Sequence, residues 1–128
     1  MKGIEIKVIP HDKQRYETVG DWFYNDSILC IRVSDMGNWK YEMAVALHEL
    51  IEVLICKSKG ITQKACDDFD MKYEDDRAIG KYTSDQEPGD DPHSPYHMEH
   101  SLATAVERMF IFSVGESWAA YNAKVSSM

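Results

Sequence analysis

Basic residues are in short supply in this chain of 128 residues: 14 Lys and Arg stand against 22 Asp and Glu, a formal net charge of −8. Affinity for nucleic acid comes mostly from Lys and Arg set against phosphates, so nonspecific nucleic-acid binding is excluded, and an anionic membrane surface is disfavoured for the same reason. Cysteine is scarce and odd in number. Cys30, Cys56 and Cys66 are widely spaced and form no C-x-x-C pair, which argues against a disulfide framework and against a zinc knuckle. No apolar run approaches the length of a membrane span, and MKGIEIKVIP carries no signal-peptide core. The expectation is a soluble, cytoplasmic protein with no nucleic-acid or membrane partner. Its 44% hydrophobic content suffices for one core, and a single domain over residues 1–128 is expected. Oligomeric state is left open.

The stretch Tyr41 to Cys56, YEMAVALHELIEVLIC, lacks Gly, Pro, Lys and Arg. It is long enough for more than four helical turns. Between Met43 and Cys56 only His48, Glu49 and Glu52 are not apolar. A helix apolar nearly all round belongs in a core, and a buried carboxylate is costly unless it is paired, hydrogen-bonded or bound to a metal. His48 and Glu52 are i and i+4, on one face. This pattern points to a metal site with an adjacent acid/base carboxylate.

Elsewhere, IEIKVI at residues 4–9 and ILCIRV at 28–33 read as strands, with an ambiguous stretch at 16–24 between them. Asn38 is placed to cap the central helix, and Gly60 to end it. Thr62 is placed to cap a further segment, QKACDDFDMKYEDD. From about residue 67 to 91 the chain turns strongly acidic and contains Gly80, Pro88 and Gly89. It reads as a surface excursion, ordered at its start and mobile in its middle, without EF-hand spacing. Ser94-Pro95 suits a helix start, running to about Val114 with Met98, Leu102, Ala105, Val106, Met109 and Phe110 facing the core. A short terminal helix follows Gly115, with Trp118 and Tyr121 packed inward. Strands first and helices after gives an α+β fold: a small N-terminal antiparallel sheet followed by packed helices.

Three of the five histidines, His93, His97 and His100, fall within eight residues. On a helix from Pro95, His97, His100 and Glu107 share one side. The combination of ILCIRV, a loop and a helix carrying H-E-L-I-E resembles the active-site helix of minimal zincins, including ImmA/IrrE-type proteins. The likeness extends to small uncharacterised phage and prophage proteins with a later P-Y-H-x-E-H segment. Zincins carry H-E-x-x-H, with two His ligands, a Glu base and a third ligand from a later helix. By this resemblance His48 is the first ligand and Glu49 the general base. Glu52 stands where the second His would be, and His97 or His100 supplies the remaining donor. Carboxylate oxygen is an established zinc ligand, and two His with one carboxylate also suit iron. The resemblance therefore implies zinc, with iron or manganese as alternatives, and metal-dependent hydrolysis of a peptide or protein substrate. The strand at 28–33 would receive an extended peptide at its edge, and Glu99 or Glu107 would orient a ligand imidazole.

Two other functions compete. One is a catalytically inactive binding or structural module on a degenerate zincin-like fold, its polar cluster satisfied by Arg108, Arg32 or the later histidines. The other is a metal-dependent nucleotide hydrolase of MazG or HD type, using the E-x-x-E of Glu49 and Glu52 with magnesium or manganese.

Overall fold

The computed structural model describes residues 1–83 and 86–128. Alternating apolar residues build three short strands: β1 (Gly3–Ile9), β2 (Gly20–Asn25) and β3 (Ile28–Ser34). A two-residue turn joins β2 to β3, with Asp26 in the left-handed region at φ 55°, which Asp tolerates better than most residues. The strand order is β1-β3-β2. β2 and β3 form the expected antiparallel pair, whereas β1 runs parallel to β3, with Ile6 opposite Ile31. The cause is the loop of residues 10–19. It carries the chain past the neighbouring position, and the hairpin then returns β3 into the gap. β3 is thus the central strand and has no free edge, so the expectation that it receives a peptide is overturned.

The fold class is α+β, with four α-helices after the sheet among the described residues. Asn38 caps α1 (Trp39–Ser58), its side chain accepting from the N–H groups of Lys40 and Tyr41. Gly60, at φ 72°, ends it, and the Ile61 N–H reaches back to the Cys56 carbonyl at 2.9 Å; that backbone favours glycine. Leu29, Ile31 and Val33 project from β3 into full burial among Ala44, Val45 and Val53 of α1.

Thr62 caps α2 (Gln63–Ala78) by accepting from the Ala65 N–H. Half of the acidic stretch is therefore regular helix rather than surface excursion. Cys66, Asp70 and Tyr73 turn inward at helical spacing, and Lys64–Asp68 and Lys72–Asp76 pair at i,i+4 on the outside. Beyond α2 a single 3₁₀ turn, Pro88–Asp90, packs on the next helix. The middle of that stretch, expected to be mobile, is the last turn of α2 and the residues after it, with Ser84 and Asp85 outside the described residues.

Helix α3 (His97–Ser113) begins two residues later than Ser94-Pro95 suggests. Ser94 does not cap it; residues 94–97 form a tight turn closed by the His97 N–H on the Ser94 carbonyl. The facing of α3 meets expectation at Phe110, which packs against the core, and departs from it at most other positions. Met98, Leu102, Ala105 and Met109 lie outside, with Phe112 84% exposed, while His100, Ala103, Glu107 and Ile111 turn toward α1. Apolar periodicity misleads here because the inward face of α3 carries the polar site. Ser117 caps α4 (Trp118–Ser126), whose Tyr121 is buried.

Candidate metal centre

α1 offers His48 and Glu52 from adjacent turns of one face, and α3, packed against it, offers His100. His48 Nε2, Glu52 Oε2 and His100 Nδ1 form a triangle with every side 3.1 Å. All three residues are buried. Donor bonds of about 2.0–2.2 Å to three atoms so spaced subtend roughly 100° at an ion, between octahedral and tetrahedral angles.

The other atom of each donor group is held. His48 Nδ1 donates to Glu107 Oε1 at 2.8 Å, and the Tyr121 hydroxyl donates to the second oxygen of Glu107. His100 Nε2 lies 3.2 Å from both Asp90 Oδ1 and Glu87 Oε2. Trp22 Nε1 donates to Glu52 Oε1 at 3.1 Å. When the outer imidazole nitrogens donate to carboxylates, the inner nitrogens of neutral rings carry lone pairs. Two lone-pair nitrogens and a carboxylate oxygen at 3.1 Å repel one another unless a cation sits among them. This is the carboxylate–histidine arrangement that fixes ligand orientation around metals.

Without an ion, protons do the same work. Burial disfavours the charged His48 ring, but Glu107 and Glu52 accept from it and hold it protonated up to about 10. His100 likewise overcomes burial through Asp90, Glu52 and Glu87, and is pushed up to about 12. Burial would raise Glu52, yet hydrogen bonds from His100 and His48 hold it down at about 2. Metal binding at such a site exchanges protons for the ion.

Glu49 sits one residue from His48 and accepts no hydrogen bond from the described residues. Its carboxyl opens on a cavity of about 130 Å³ that the triad also lines. Burial and the neighbouring Glu52 charge push it well above the ordinary carboxylate range. β2 passes so close that a Cβ on Gly20 would lie 2.7 Å from Glu49 Oε1. Across the cavity, Asp70 accepts from the hydroxyls of Tyr16 and Tyr96, and Arg15 pairs with Asp21 and Asp67.

Of the sequence-derived candidates, His48, Glu52 and His100 converge, and Glu49 borders the same cavity. His97 does not join them: it lies on the same side of α3 as His100 but one turn nearer the helix start, where its Nδ1 is engaged with the Gly89 carbonyl at 2.9 Å. His93 is exposed beside Asp91. Glu107 orients His48, whereas Glu99 faces Lys59. Neither arginine foreseen as a partner reaches the cluster: Arg32 pairs with Glu5 and Arg108 lies over Trp118. Trp22, Glu87, Asp90 and Tyr121 carry no local sequence signal for their roles. No protein-family model, curated protein or solved structure matches the chain.

Proposed function

We propose that this protein binds a transition metal, zinc first, through His48, Glu52 and His100, and uses it in hydrolysis of a peptide or related amide bond. The observation that carries this reading is the 3.1 Å triangle of inner donor atoms whose outer atoms are all anchored by Glu107, Asp90, Glu87 and Trp22. Two nitrogens in three donors favour zinc or iron over magnesium, which weighs against the nucleotide-hydrolase reading. When bound, such an ion supplies Lewis acidity, polarising a carbonyl and acidifying water. Glu49, with a raised proton affinity and no competing hydrogen bond, takes a proton on its free carboxylate and returns it to the leaving group. Glu107 and Asp90 hold the two imidazoles in one tautomer.

The substrate would reach Glu49 through the cavity beside Gly20. It would not add as a strand to β2: the outward groups there are occupied, with Thr18 Oγ1 on the Gly20 backbone, Arg15 on the Trp22 carbonyl and Gln63 on the Tyr24 N–H. Three free, buried cysteines suit a reducing compartment and support a cytoplasmic location; no helix among the described residues is long and apolar enough to cross a membrane.

Metal analysis of untagged protein purified without chelator tests the proposal. Stoichiometric zinc is expected, lost in His48→Ala and kept in Glu49→Gln, with Glu49→Gln cutting any hydrolytic turnover by about 10²–10⁴-fold. A folded protein free of metal, or one that keeps its metal in His48→Ala, would sink this reading and leave the binding module.

A further inference from the structure

The two edges of the sheet are treated differently. The outward groups of β2 are covered by Thr18, Arg15 and Gln63. On β1, the Ile9 carbonyl accepts from the Asp35 N–H beyond β3. By strand alternation the odd residues bond to β3, and the N–H and C=O of Ile4, Ile6 and Val8 point away from the sheet. No hydrogen bond from the described residues reaches those outward groups. An unpaired strand edge is a template for another strand unless it is charged, bulged or covered.

The side chains along this edge are equally unprotected. Ile4, Ile6 and Val8 share the face of β3's Leu29, Ile31 and Val33, yet are 43–47% exposed because the helices stop short of them. Beside them runs a wholly apolar groove of about 240 Å³, lined by Ile6, Trp39, Met43, Leu47, Leu50 and Phe110. Trp39 is 63% exposed at its mouth.

We infer that β1 is a self-association edge, and that its occupant is β1 of a second copy, antiparallel about a two-fold axis through Ile6. The strand reads Gly3-Ile4-Glu5-Ile6-Lys7-Val8-Ile9. Antiparallel pairing centred on Ile6 sets Ile6 against its own copy and Ile4 against Val8, so every outward backbone group finds a partner. The same register sets Glu5 of each copy against Lys7 of the other, in the closely spaced non-hydrogen-bonded position where opposite charges pair best. Glu5 Oε1 is taken by Arg32, but Oε2 has only its own Lys7 at 3.7 Å, so both partners have capacity left. A parallel or shifted register loses this complementarity. The axis stands perpendicular to the sheet, so both helical layers lie on one side and the two apolar grooves face each other. Ile4, Ile6, Val8 and Trp39 leave on the order of 400 Å² of apolar surface per copy; a pair covers roughly 800 Å² in total before the backbone is counted, below the roughly 1,200–2,000 Å² of tight specific interfaces, which suits a weak, concentration-dependent dimer.

Sedimentation equilibrium on the full chain tests this. A concentration-dependent dimer is expected, abolished by Ile6→Lys with the far-ultraviolet circular dichroism unchanged. Lys7→Glu should weaken the dimer roughly tenfold by placing like charges opposite each other. A wild-type monomer throughout the high-micromolar range overturns the inference. So does a dimer indifferent to Ile6→Lys or to Lys7→Glu.

Discussion

Substituting Gly89 by Ala tests the metal centre without touching a ligand. Gly89 lies against the His100 ring, and an added Cβ would sit 2.3 Å from His100 Cγ and 2.5 Å from Nδ1. Ordinary contact requires 3.4 Å or more, so either the ring or the 3₁₀ turn must retreat by about 1 Å. The turn is the harder to move, because the Gly89 carbonyl is fixed by His97 and Asp90 is fixed by His100 itself. If the ring yields, Nδ1 leaves a position where bonds of about 2.0–2.2 Å are needed, and the third donor is lost. Disturbing even the groups that merely orient a ligand costs about 10–100-fold in metal affinity; the expected loss for Gly89→Ala is at the upper end or beyond. Overpacking should cost the metal-free fold only about 1–3 kcal/mol. Zinc affinity by competition with a chromophoric chelator, alongside metal-free urea unfolding, separates the two effects. Wild-type zinc affinity in a folded Gly89→Ala protein would refute the assignment of His100 Nδ1 as a ligand atom.

Trp22→Phe keeps the ring's bulk but removes the N–H that Glu52 Oε1 accepts; chelator competition should show zinc binding weakened about tenfold, and no change would mean that Glu52 is positioned by the helix alone. Burial pushes the carboxyl of Asp70 up to about 7, more than the hydrogen bonds from Tyr96 and Tyr16 offset. The folded protein therefore binds a proton there that the unfolded chain has released above about pH 4, so this contribution is complete in acid and lost as pH rises toward 7. Urea unfolding of metal-free protein at pH 5 and pH 8 should show a decline that Asp70→Asn reduces, by up to roughly 3 kcal/mol over that window; equal slopes in both proteins would remove Asp70 as the cause.

How much was legible in the sequence depended on range. The role of α1 could be read because every turn repeats one message: apolar residues on all sides and three groups that burial cannot leave unpartnered. Glu52 at i+4 from His48 needs only helical geometry. The orientation of α3 could not be read, since Met98, Leu102 and Met109 form as good an apolar stripe as any core face. The contacts of His100 with His48 and Glu52 lie on the inward face instead, and that stripe is left outside. Helical spacing alone does not choose between His97 and His100, which share a side; the Gly89 carbonyl, which engages His97, decides it from outside the helix. Trp22 meets Glu52 across thirty residues, and Asp90 meets His100 through a turn with no periodic pattern. Parallel pairing of β1 with β3 is equally invisible locally, because alternation marks a strand but says nothing of its neighbour's direction.

The contact of Tyr121 with Glu107, and of Glu107 with His48, makes the nine-residue α4 a reporter on events two helices away. An occupant that binds only the form with His48 in register stabilises that form by RT ln(1 + [L]/Kd), and part of that free energy is felt as tighter docking of the C-terminal helix. Linkage runs both ways. Under the proposed metal-binding role, a partner that peels α4 from the core would loosen an ion held by His48 by the same factor, so occupancy could be sensed or set from a surface that never touches the ligands.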